Sequence, residues 1–326
     1  MADRTAQEAI ERGVAFLKKN QLPHGEFRTL ASPRQDLDGA KYDQSAFPTT
    51  LITYSINFLN SPTAKRVLRK ALKFLLREMH VPGFWSYWGV SSPRQLPIDS
   101  DTTSNAQVVL RLNGVAVPEN RQRLLANRDE QGRFYTWLLD DSLKSVGGNF
   151  VPADNYLNVN PVINANVLAF LGHSEQTDEA TRWVLSWFAP ENTDLQFLWY
   201  TDRLCLYYAV SRAFYCGVTP FLDARDHIVE SILLRMSSGE SWSALQQAQA
   251  ACTLLNFCVE PEQLRGLIRS LISRQEACGA WPASAMYDGA GCFYGSEEMT
   301  TAFCLEALSR SFTSPVRDTN VRLRSA

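Results

Sequence analysis

The sequence predicts an all-α fold, a single (α/α)6 barrel with inner and outer helices. Two observations predict it. Segments with one apolar face alternate along the chain with segments that are small or apolar on most faces. In addition, a glycine followed by an aromatic residue recurs roughly every 40–60 residues, as expected of a repeat architecture. The alternating pattern typical of half-buried β-strands is not convincing anywhere in the sequence.

The amphipathic segments carry their charges on one side, which is typical of helices at a protein surface. They are residues 6–19, 64–78, 119–126, 178–188, 221–236 and 260–274. The segments between them have no polar face, which predicts buried helices. They are residues 47–60, 102–114, 160–171, 203–216, 241–257 and 296–310. This strict alternation predicts one barrel domain over residues 1–315, followed by a polar tail at 316–326.

The glycine–aromatic repeats come at the ends of predicted outer helices. Gln275 to Trp281 fits the pattern Q-x-x-x-G-x-W, and Gln21 to Phe27 fits it with Phe in place of Trp. Weaker versions of this QW-type repeat are Gly83–Trp85, Gly132–Phe134 and Gly239–Trp242. We interpret these residues as structural, because a glycine can end a helix in a left-handed cap over which the ring packs back.

Composition indicates a globular protein and excludes several function classes. Hydrophobic residues make up 45% and charged residues 20%, enough for a sizeable core. The net charge of −2 predicts neither nucleic acid nor an anionic membrane as the main partner. No transmembrane span or secretory leader is predicted. The seven cysteines are odd in number and show no C-x-x-C spacing, so we expect buried thiols and a cytoplasmic location.

Two carboxylates stand one residue apart where a turn leads into an inner helix, at Asp99 and Asp101. Either Asp99 or Ser100 can be a simple N-cap of that helix. If the pair is buried, one of its carboxyls can instead act as a proton donor. Desolvation and a neighbouring carboxylate raise a pKa, whereas a helix N-terminus lowers it, so one carboxyl can stay protonated and still be a strong acid.

The repeats on paired helices and the D-x-D-T-T sequence at residues 99–103 resemble the class II terpene cyclases. The squalene–hopene cyclases of this family carry D-x-D-D-T at this place. Residues 160–167, 206–212 and 294–301 extend the resemblance over most of the chain, and the chain is most similar to short, one-domain meroterpenoid cyclases such as merosterolic acid synthase. This resemblance implies cyclisation of a polyprenyl chain attached to an aromatic acid, started by protonation of its terminal alkene.

The resemblance also implies roles for the motif. Asp101 matches the general acid, and Asp99 matches the carboxyl that anchors and polarises it. Thr102 stands where the hopene cyclases have a third Asp. Those enzymes orient the acid with a His, but no predicted inner helix here contains one. Asn164 or Asn166 is the candidate replacement, and the alternative is that these amides satisfy buried backbone groups.

Large aromatic residues are frequent, with 8 Trp, 11 Tyr and 17 Phe. They suit either core packing or a cavity whose ring faces stabilise a carbocation. The candidate substrate-binding residues come from predicted loops and helix starts. They are Tyr156, Trp199, Tyr200, Tyr207, Tyr208, Trp242, Phe293 and Tyr294. Glu297 and Glu298 fit the first turn of a helix, where the helix dipole stabilises acidic side chains. We prefer this structural interpretation to a catalytic role.

The expected partner is a polyprenylated small molecule, with membrane-surface contact limited to collecting a lipid substrate. No metal site and no cofactor is expected for a proton-initiated step. Residues 140–144 lack the second acidic pair of a diphosphate-ionising terpene synthase, and candidate diphosphate ligands are scattered at Arg94, Arg203 and Arg212. Two alternatives stay open: a drimane-type cyclase of a prenyl diphosphate, which uses Mg²⁺, and a non-catalytic isoprenoid-binding barrel.

Overall fold

A helix is present at each of the positions that the sequence predicts. The computed structural model describes residues 2–94, 96–118, 120–138, 157–189, 199–289 and 291–312. In chain order the helices are α1 (Ala2–Asn20), α2 (Ala46–Ile56), α3 (Pro62–Arg77), α4 (Ser100–Leu112), α5 (Arg121–Ala126), α6 (Pro161–Leu171), α7 (Asp178–Ser186), α8 (Arg203–Tyr215), α9 (Arg225–Ser237), α10 (Ala244–Asn256), α11 (Pro261–Ser273) and α12 (Glu297–Phe312). Short 3-10 helices, Glu175–Thr177 and Thr219–Ala224, precede α7 and α9. The predicted tail, 316–326, lies outside the described residues.

The even-numbered helices pack side by side in a closed ring. Each contacts the next one in the series, and α12 returns to contact α2. Every residue of α2 and of α6 is buried, which explains why these segments are apolar on all faces. The odd-numbered helices lie outside: α1 packs on α3 and α12, α7 on α6, and α11 on α10 and α12.

A small antiparallel sheet makes the all-α prediction incomplete. Its strands are β1 (Thr29–Ser32), β2 (Lys41–Asp43), β3 (Ala285–Gly289) and β4 (Cys292–Gly295), in the order β2-β1-β4-β3. The longest of them has 5 residues, and segments this short carry too few side chains for an alternating pattern to be recognised. The sheet joins the segment before α2 to the segment before α12.

Other segments that precede inner helices meet at the same end of the ring. Isolated bridges pair Asp99, before α4, with Trp137, and Tyr200, before α8, with Tyr287 in β3. The N-termini of these inner helices are therefore gathered at one end of the ring, which we call the mouth. The loops of the mouth, and not the outer helices, surround the start of α4.

The glycine–aromatic segments connect neighbouring outer helices. Gln21, just after α1, donates its amide N–H to the backbone oxygen of Val67 in α3 at 3.0 Å. Gln275, just after α11, does the same to Ala9 in α1 at 2.8 Å. The indole N–H of Trp281 donates to the backbone oxygen of Leu271 at 2.7 Å. Each of these hydrogen bonds ties a segment that follows an outer helix to an outer helix, which agrees with a structural role.

The cysteine prediction is partly wrong. All seven cysteines are free thiols, and Cys205, Cys252 and Cys304 are buried, but Cys258 and Cys278 are exposed. Cys258 lies in the turn after the inner helix α10, and Cys278 lies in the turn after the outer helix α11. Within the described ranges, no helix is long and apolar enough to cross a bilayer.

Candidate active site

Asp99 is the N-cap of α4. Its backbone is extended, and its Oδ1 accepts a hydrogen bond from the backbone N–H of Thr102 at 2.6 Å. Both residues are buried. Oδ2 of Asp99 is also buried and has no hydrogen-bond partner among the described residues. Asp99 therefore caps α4, as one interpretation of the sequence predicted. Only one of its two carboxyl oxygens is used for this cap.

Asp101, in the first turn of α4, is the centre of a buried hydrogen-bond network. Its Oδ1 accepts from the amide nitrogens of Asn105, at 2.9 Å, and Asn166, at 2.7 Å. Its Oδ2 accepts from the hydroxyl of Tyr200 at 2.5 Å. Asp101 is only 7% exposed. Three donors from two helices and one loop thus converge on a single carboxyl group.

Burial dominates the electrostatics of both carboxyls. It raises the pKa of Asp101, while the hydrogen bonds of Tyr200 and Asn166 and the charge of Arg212 act in the opposite direction. Burial also raises the pKa of Asp99 to about 8, with a smaller contribution from the charge of Asp101 and an opposing one from the N–H of Thr102. The site therefore favours protonated carboxyls and also provides partners for the anion that remains after a proton has left Asp101.

Arg212, from α8, also belongs to this hydrogen-bond network. It is 1% exposed, and its Nη2 donates to Oδ1 of Asn105 at 2.6 Å and to Oδ1 of Asn166 at 2.7 Å. Its guanidinium lies over the ring of Tyr54, with 5.0 Å from Cζ to the ring centroid. As a candidate ligand for a substrate diphosphate, Arg212 is therefore in the wrong place.

The two asparagines proposed as partners of the acid behave differently. Asn166 contacts Asp101, as predicted. Asn164 instead holds the backbone of Phe134: its Oδ1 accepts from the N–H at 2.8 Å, and its Nδ2 donates to the carbonyl at 3.0 Å. For Asn164 the alternative interpretation, a buried amide that satisfies backbone groups, agrees with the structure.

Tyr200 reaches Asp101, whereas other predicted aromatic residues lie elsewhere. Trp199 packs edge-on against Trp137, and Tyr207 lies beside Phe188. Tyr208 packs on Phe303 below the mouth, and Trp242 lies under Arg235 of α9. Phe293 is half-buried in β4. Tyr156 falls outside the described residues.

Tyr294 belongs to a cluster of tyrosines at the mouth. Its ring stacks on Tyr287 with centroids 5.3 Å apart and packs edge-on against Tyr87 at 5.8 Å. The hydroxyls of Tyr87 and Tyr287 are 3.1 Å apart. Because Tyr200 pairs with Tyr287 through the backbone, this cluster is continuous with the residue that contacts Asp101.

Two of the candidate diphosphate ligands, Arg94 and Arg203, have partners within the protein. Arg94 forms an ion pair with Asp43 and stacks over Trp88, 4.3 Å from Cζ to the ring centroid. Arg203 donates to the backbone oxygen of Trp187 at 2.8 Å. Among the residues that the structure describes, no three His, Cys, Asp or Glu side chains form a metal-binding group. The acidic segment 140–144 lies outside those residues.

No protein-family model matches the sequence, and neither does any of the curated proteins compared. Solved structures do match. A variant of the type II terpene cyclase MstE from Scytonema, in complex with geranylgeranyl dihydroxybenzoate, superposes with a TM-score of 0.75 at 17% identity over 95% of this chain and 98% of that chain. The fold is that of the type II terpene cyclases. A second variant of MstE, with the product merosterolic acid A, gives 0.75 at 16% identity over 95% and 97% of the two chains.

The type II terpene cyclase fold also occurs in a larger relative. The ent-copalyl diphosphate synthase from Streptomyces platensis matches with a TM-score of 0.60 at 14% identity, over 82% of this chain and 50% of that one.

Sequence reasoning missed part of this site. Asn105 follows Asp101 by 4 residues, and this spacing on a helix places two side chains on one face, so a sequence signal for it existed. Arg212 was considered as a diphosphate ligand and not as a partner of the two asparagines. Tyr87 and Tyr287 were not singled out as site residues. Their positions depend on how distant segments pack at the mouth of the type II terpene cyclase fold.

Proposed function

We propose that this chain is a class II terpene cyclase, an isomerase that cyclises a polyprenyl chain after Asp101 protonates its terminal alkene. The single observation that carries the proposal is the environment of Asp101. Burial raises the pKa of this carboxyl, which favours its protonated form, and three hydrogen-bond donors are in place to stabilise the anion that forms when the proton leaves. The proposal includes the architecture, since the closed ring and its outer helices support an (α/α)6 barrel with QW-type repeats.

The hydrogen bonds indicate which oxygen carries the acidic proton. A carboxyl oxygen has two lone pairs in its plane. Oδ1 of Asp101 uses both to accept from Asn105 and Asn166, whereas Oδ2 accepts only from Tyr200 within the part of the chain that the structure describes. The proton is therefore on Oδ2, on the side where Tyr200 and the tyrosine cluster lie.

The proposed reaction balances without any other reactant. The Oδ2–H bond of Asp101 breaks, and the π electrons of the terminal alkene form the new C–H bond, which leaves a tertiary carbocation. The next alkenes attack in turn and close the rings in the conformation that the site imposes. Aromatic faces stabilise the moving cation, each by about 0.5–2 kcal/mol. Loss of a proton ends the sequence, so the product is an isomer of the substrate.

We propose a prenylated aromatic acid as the substrate. The MstE structures that share this fold hold geranylgeranyl dihydroxybenzoate or merosterolic acid A. Arg94, one of the candidate diphosphate ligands, is paired with Asp43, which favours a substrate without a diphosphate. The likeness to a copalyl diphosphate synthase favours a second candidate, a prenyl diphosphate. The protonation step itself uses no cofactor, and Mg²⁺ would enter only as a ligand of that diphosphate.

The test is to incubate the purified protein with prenylated dihydroxybenzoates and with prenyl diphosphates, each with and without EDTA. We expect a cyclic isomer of the aromatic substrate that is insensitive to EDTA and is lost in Asp101→Asn. The control is Asp226→Asn, an exposed carboxylate of α9. Undiminished cyclisation by Asp101→Asn would sink the assignment of the acid. Tight binding with no turnover of any substrate would instead support a non-catalytic isoprenoid-binding barrel.

A further inference from the structure

Arg212 determines the orientation of the two amides that contact Asp101. An asparagine side chain can be turned by half a rotation so that oxygen and nitrogen exchange places. A guanidinium can only donate hydrogen bonds. With Nη2 of Arg212 at 2.6 Å from Asn105 and 2.7 Å from Asn166, both facing atoms must be oxygens. Both amide nitrogens are then directed at Asp101.

We propose that Arg212 is a positioning residue for the acid: through Asn105 and Asn166 it holds two N–H donors on Oδ1 of Asp101 and places a positive charge behind the carboxyl. This inference rests on the proposed function of Asp101. Arg212 does not contact the reacting atoms, since the two amides stand between it and the acid. Once Asp101 has given up its proton, its anion and Arg212 form an ion pair in which amides occupy the place that bridging water has in an exposed pair.

Glu306, a buried carboxylate that Tyr208 contacts, is paired with a different arginine. Oε1 of Glu306 in α12 accepts from Arg310 at 2.8 Å, and Oε2 accepts from Ser55 at 2.9 Å and from Tyr208 at 3.1 Å. Arg212 meets the ring faces of Tyr54 and Tyr208, at 5.0 and 5.8 Å. The charge of Arg212 is therefore balanced chiefly by the anion of Asp101, which forms when the proton is transferred.

Several titratable groups surround this unit and enter the pH dependence. On α4, Asp99 precedes the acid, and its raised pKa leaves it mostly neutral at pH 7. Tyrosines face the unit from the other elements, and burial raises their pKa values well out of the working range. They are Tyr54 of α2, Tyr200 before α8, Tyr208 of α8 and Tyr287 of β3. Asp101 and Arg212 are then the pair whose charges change the behaviour of the acid.

Removal of Arg212 is expected to lower kcat and to shift the pH profile at the same time, and loss of structure alone does not produce this combination. Without the cation the anion of Asp101 is less stable, so its pKa rises. A higher pKa means a weaker acid, which transfers its proton more slowly but stays protonated to higher pH. We therefore expect kcat on the acidic plateau to fall by up to about tenfold while the alkaline limb of the pH profile moves up by about one pH unit.

The experiment compares Arg212→Met, which has neither charge nor donors, with Arg212→Lys, which keeps the charge. The control is Arg310→Met, which removes a buried arginine that serves Glu306 instead. Titration of the Asp101 carboxyl is followed by infrared difference spectra against the same protein carrying Asp101→Asn, without substrate. We expect the pKa of Asp101 to rise in Arg212→Met, to be partly restored in Arg212→Lys and to be unchanged in Arg310→Met.

An unchanged pKa of Asp101 in Arg212→Met would overturn the inference, and so would an equal rise in Arg310→Met. If Arg212→Met does not fold, Arg212→Gln replaces it, because Gln retains two donors but has no charge. The pKa of Asp101 should then be higher in Arg212→Gln than in Arg212→Lys, and equal values contradict the role of the charge. Since the infrared titration needs no substrate, it remains decisive even if no cyclase activity is found.

Discussion

Asp101 combines two opposite influences in one side chain. Burial favours its neutral form, and three short hydrogen bonds favour its anion. An exposed Asp has neither, and a salt-bridged Asp would be ionised and unable to give a proton. The combination suits an acid that must stay protonated until a weak base, such as an alkene, is held against it.

The hydroxyl of Tyr200 is expected to contribute directly to acid strength. Tyr200→Phe removes the donor on Oδ2, and a hydrogen bond to a charged group is worth about 1.5–3 kcal/mol, so kcat should fall about 10- to 100-fold. The alkaline limb of the pH profile should move upward. Tyr42→Phe is the matched control, because Tyr42 donates to the buried carboxylate of Glu26, at 2.9 Å, outside the site. Equal kcat in Tyr200→Phe and the unmodified protein would contradict this role.

Asp99 should make the protein less stable as the pH rises. Its carboxyl has a folded-state pKa of about 8 against an ordinary value of 3.8. Between these values the native state holds a proton that the unfolded state has lost, so the free energy of unfolding falls with pH, by up to about 1.4 kcal/mol per pH unit.

The measurement compares urea unfolding of the unmodified protein and Asp99→Asn from pH 4 to pH 9. Asn is an equally good N-cap, so the difference isolates the titration. We expect Asp99→Asn to gain relative stability through the window between pH 3.8 and about 8 and to keep a constant advantage above it. Parallel curves across this window would show that Asp99 titrates normally in the folded protein.

The inner and outer helices have different roles in the protein. The inner helices start at capping residues and bring their first turns to the mouth, where α4 carries both carboxyls and α6 carries Asn166. The outer helices are linked by the glycine–aromatic segments, which fix their spacing. Substitutions in the outer layer should therefore change stability before they change the chemistry.

Gly25 is the clearest test of these links. It has φ +111°, and a Cβ there would lie 2.3 Å from the backbone oxygen of Lys70 in α3. Gly172 has φ +75° and ψ 176° with open space around it, so Gly172→Ala measures the cost of the backbone conformation alone, about 1–3 kcal/mol. We expect Gly25→Ala to lose clearly more unfolding free energy than Gly172→Ala in urea titrations. Equal losses would mean that the close approach to α3 carries no stability.

For the molecule as a whole, the closed ring gathers the loops that precede the inner helices around one site. The sheet joins the segments before α2 and α12, and Tyr200 pairs with Tyr287 across the mouth. Under the proposed function, a substrate that enters here would meet Oδ2 of Asp101 and the tyrosine cluster together. After turnover the acid must recover a proton that comes from solvent, because no reactant supplies one.

Cyclisation in D₂O should therefore place one deuterium in each product molecule, on the carbon that was protonated. The physical reason is that the carboxyl of Asp101 exchanges its proton with solvent between turnovers. Mass spectrometry and NMR of the product locate the label. A cyclic product without deuterium would contradict protonation as the first step. Release of inorganic diphosphate from a prenyl diphosphate would indicate ionisation of the substrate instead.

The helices were predicted at the right places because hydrophobic periodicity is a local property. The sheet was missed because its strands gain their stability from partners far away in the chain, such as β1 from β4. Within the site, Asp99 and Asp101 were recognisable from their spacing and from a family resemblance. Trp242 was proposed to contact the substrate, and in the structure its ring lies under Arg235.

The sequence by itself determined the alternation of helices and the pair of carboxyls at the start of α4, because both depend on neighbouring residues. Only the tertiary structure decided what surrounds Asp101. Asn166 and Tyr200 are separated from it by 65 and 99 residues, and Arg212 from Asn105 by 107. These distances along the chain are closed by the ring of inner helices, and the long-range hydrogen bonds of 2.5–2.7 Å form only once the ring is complete.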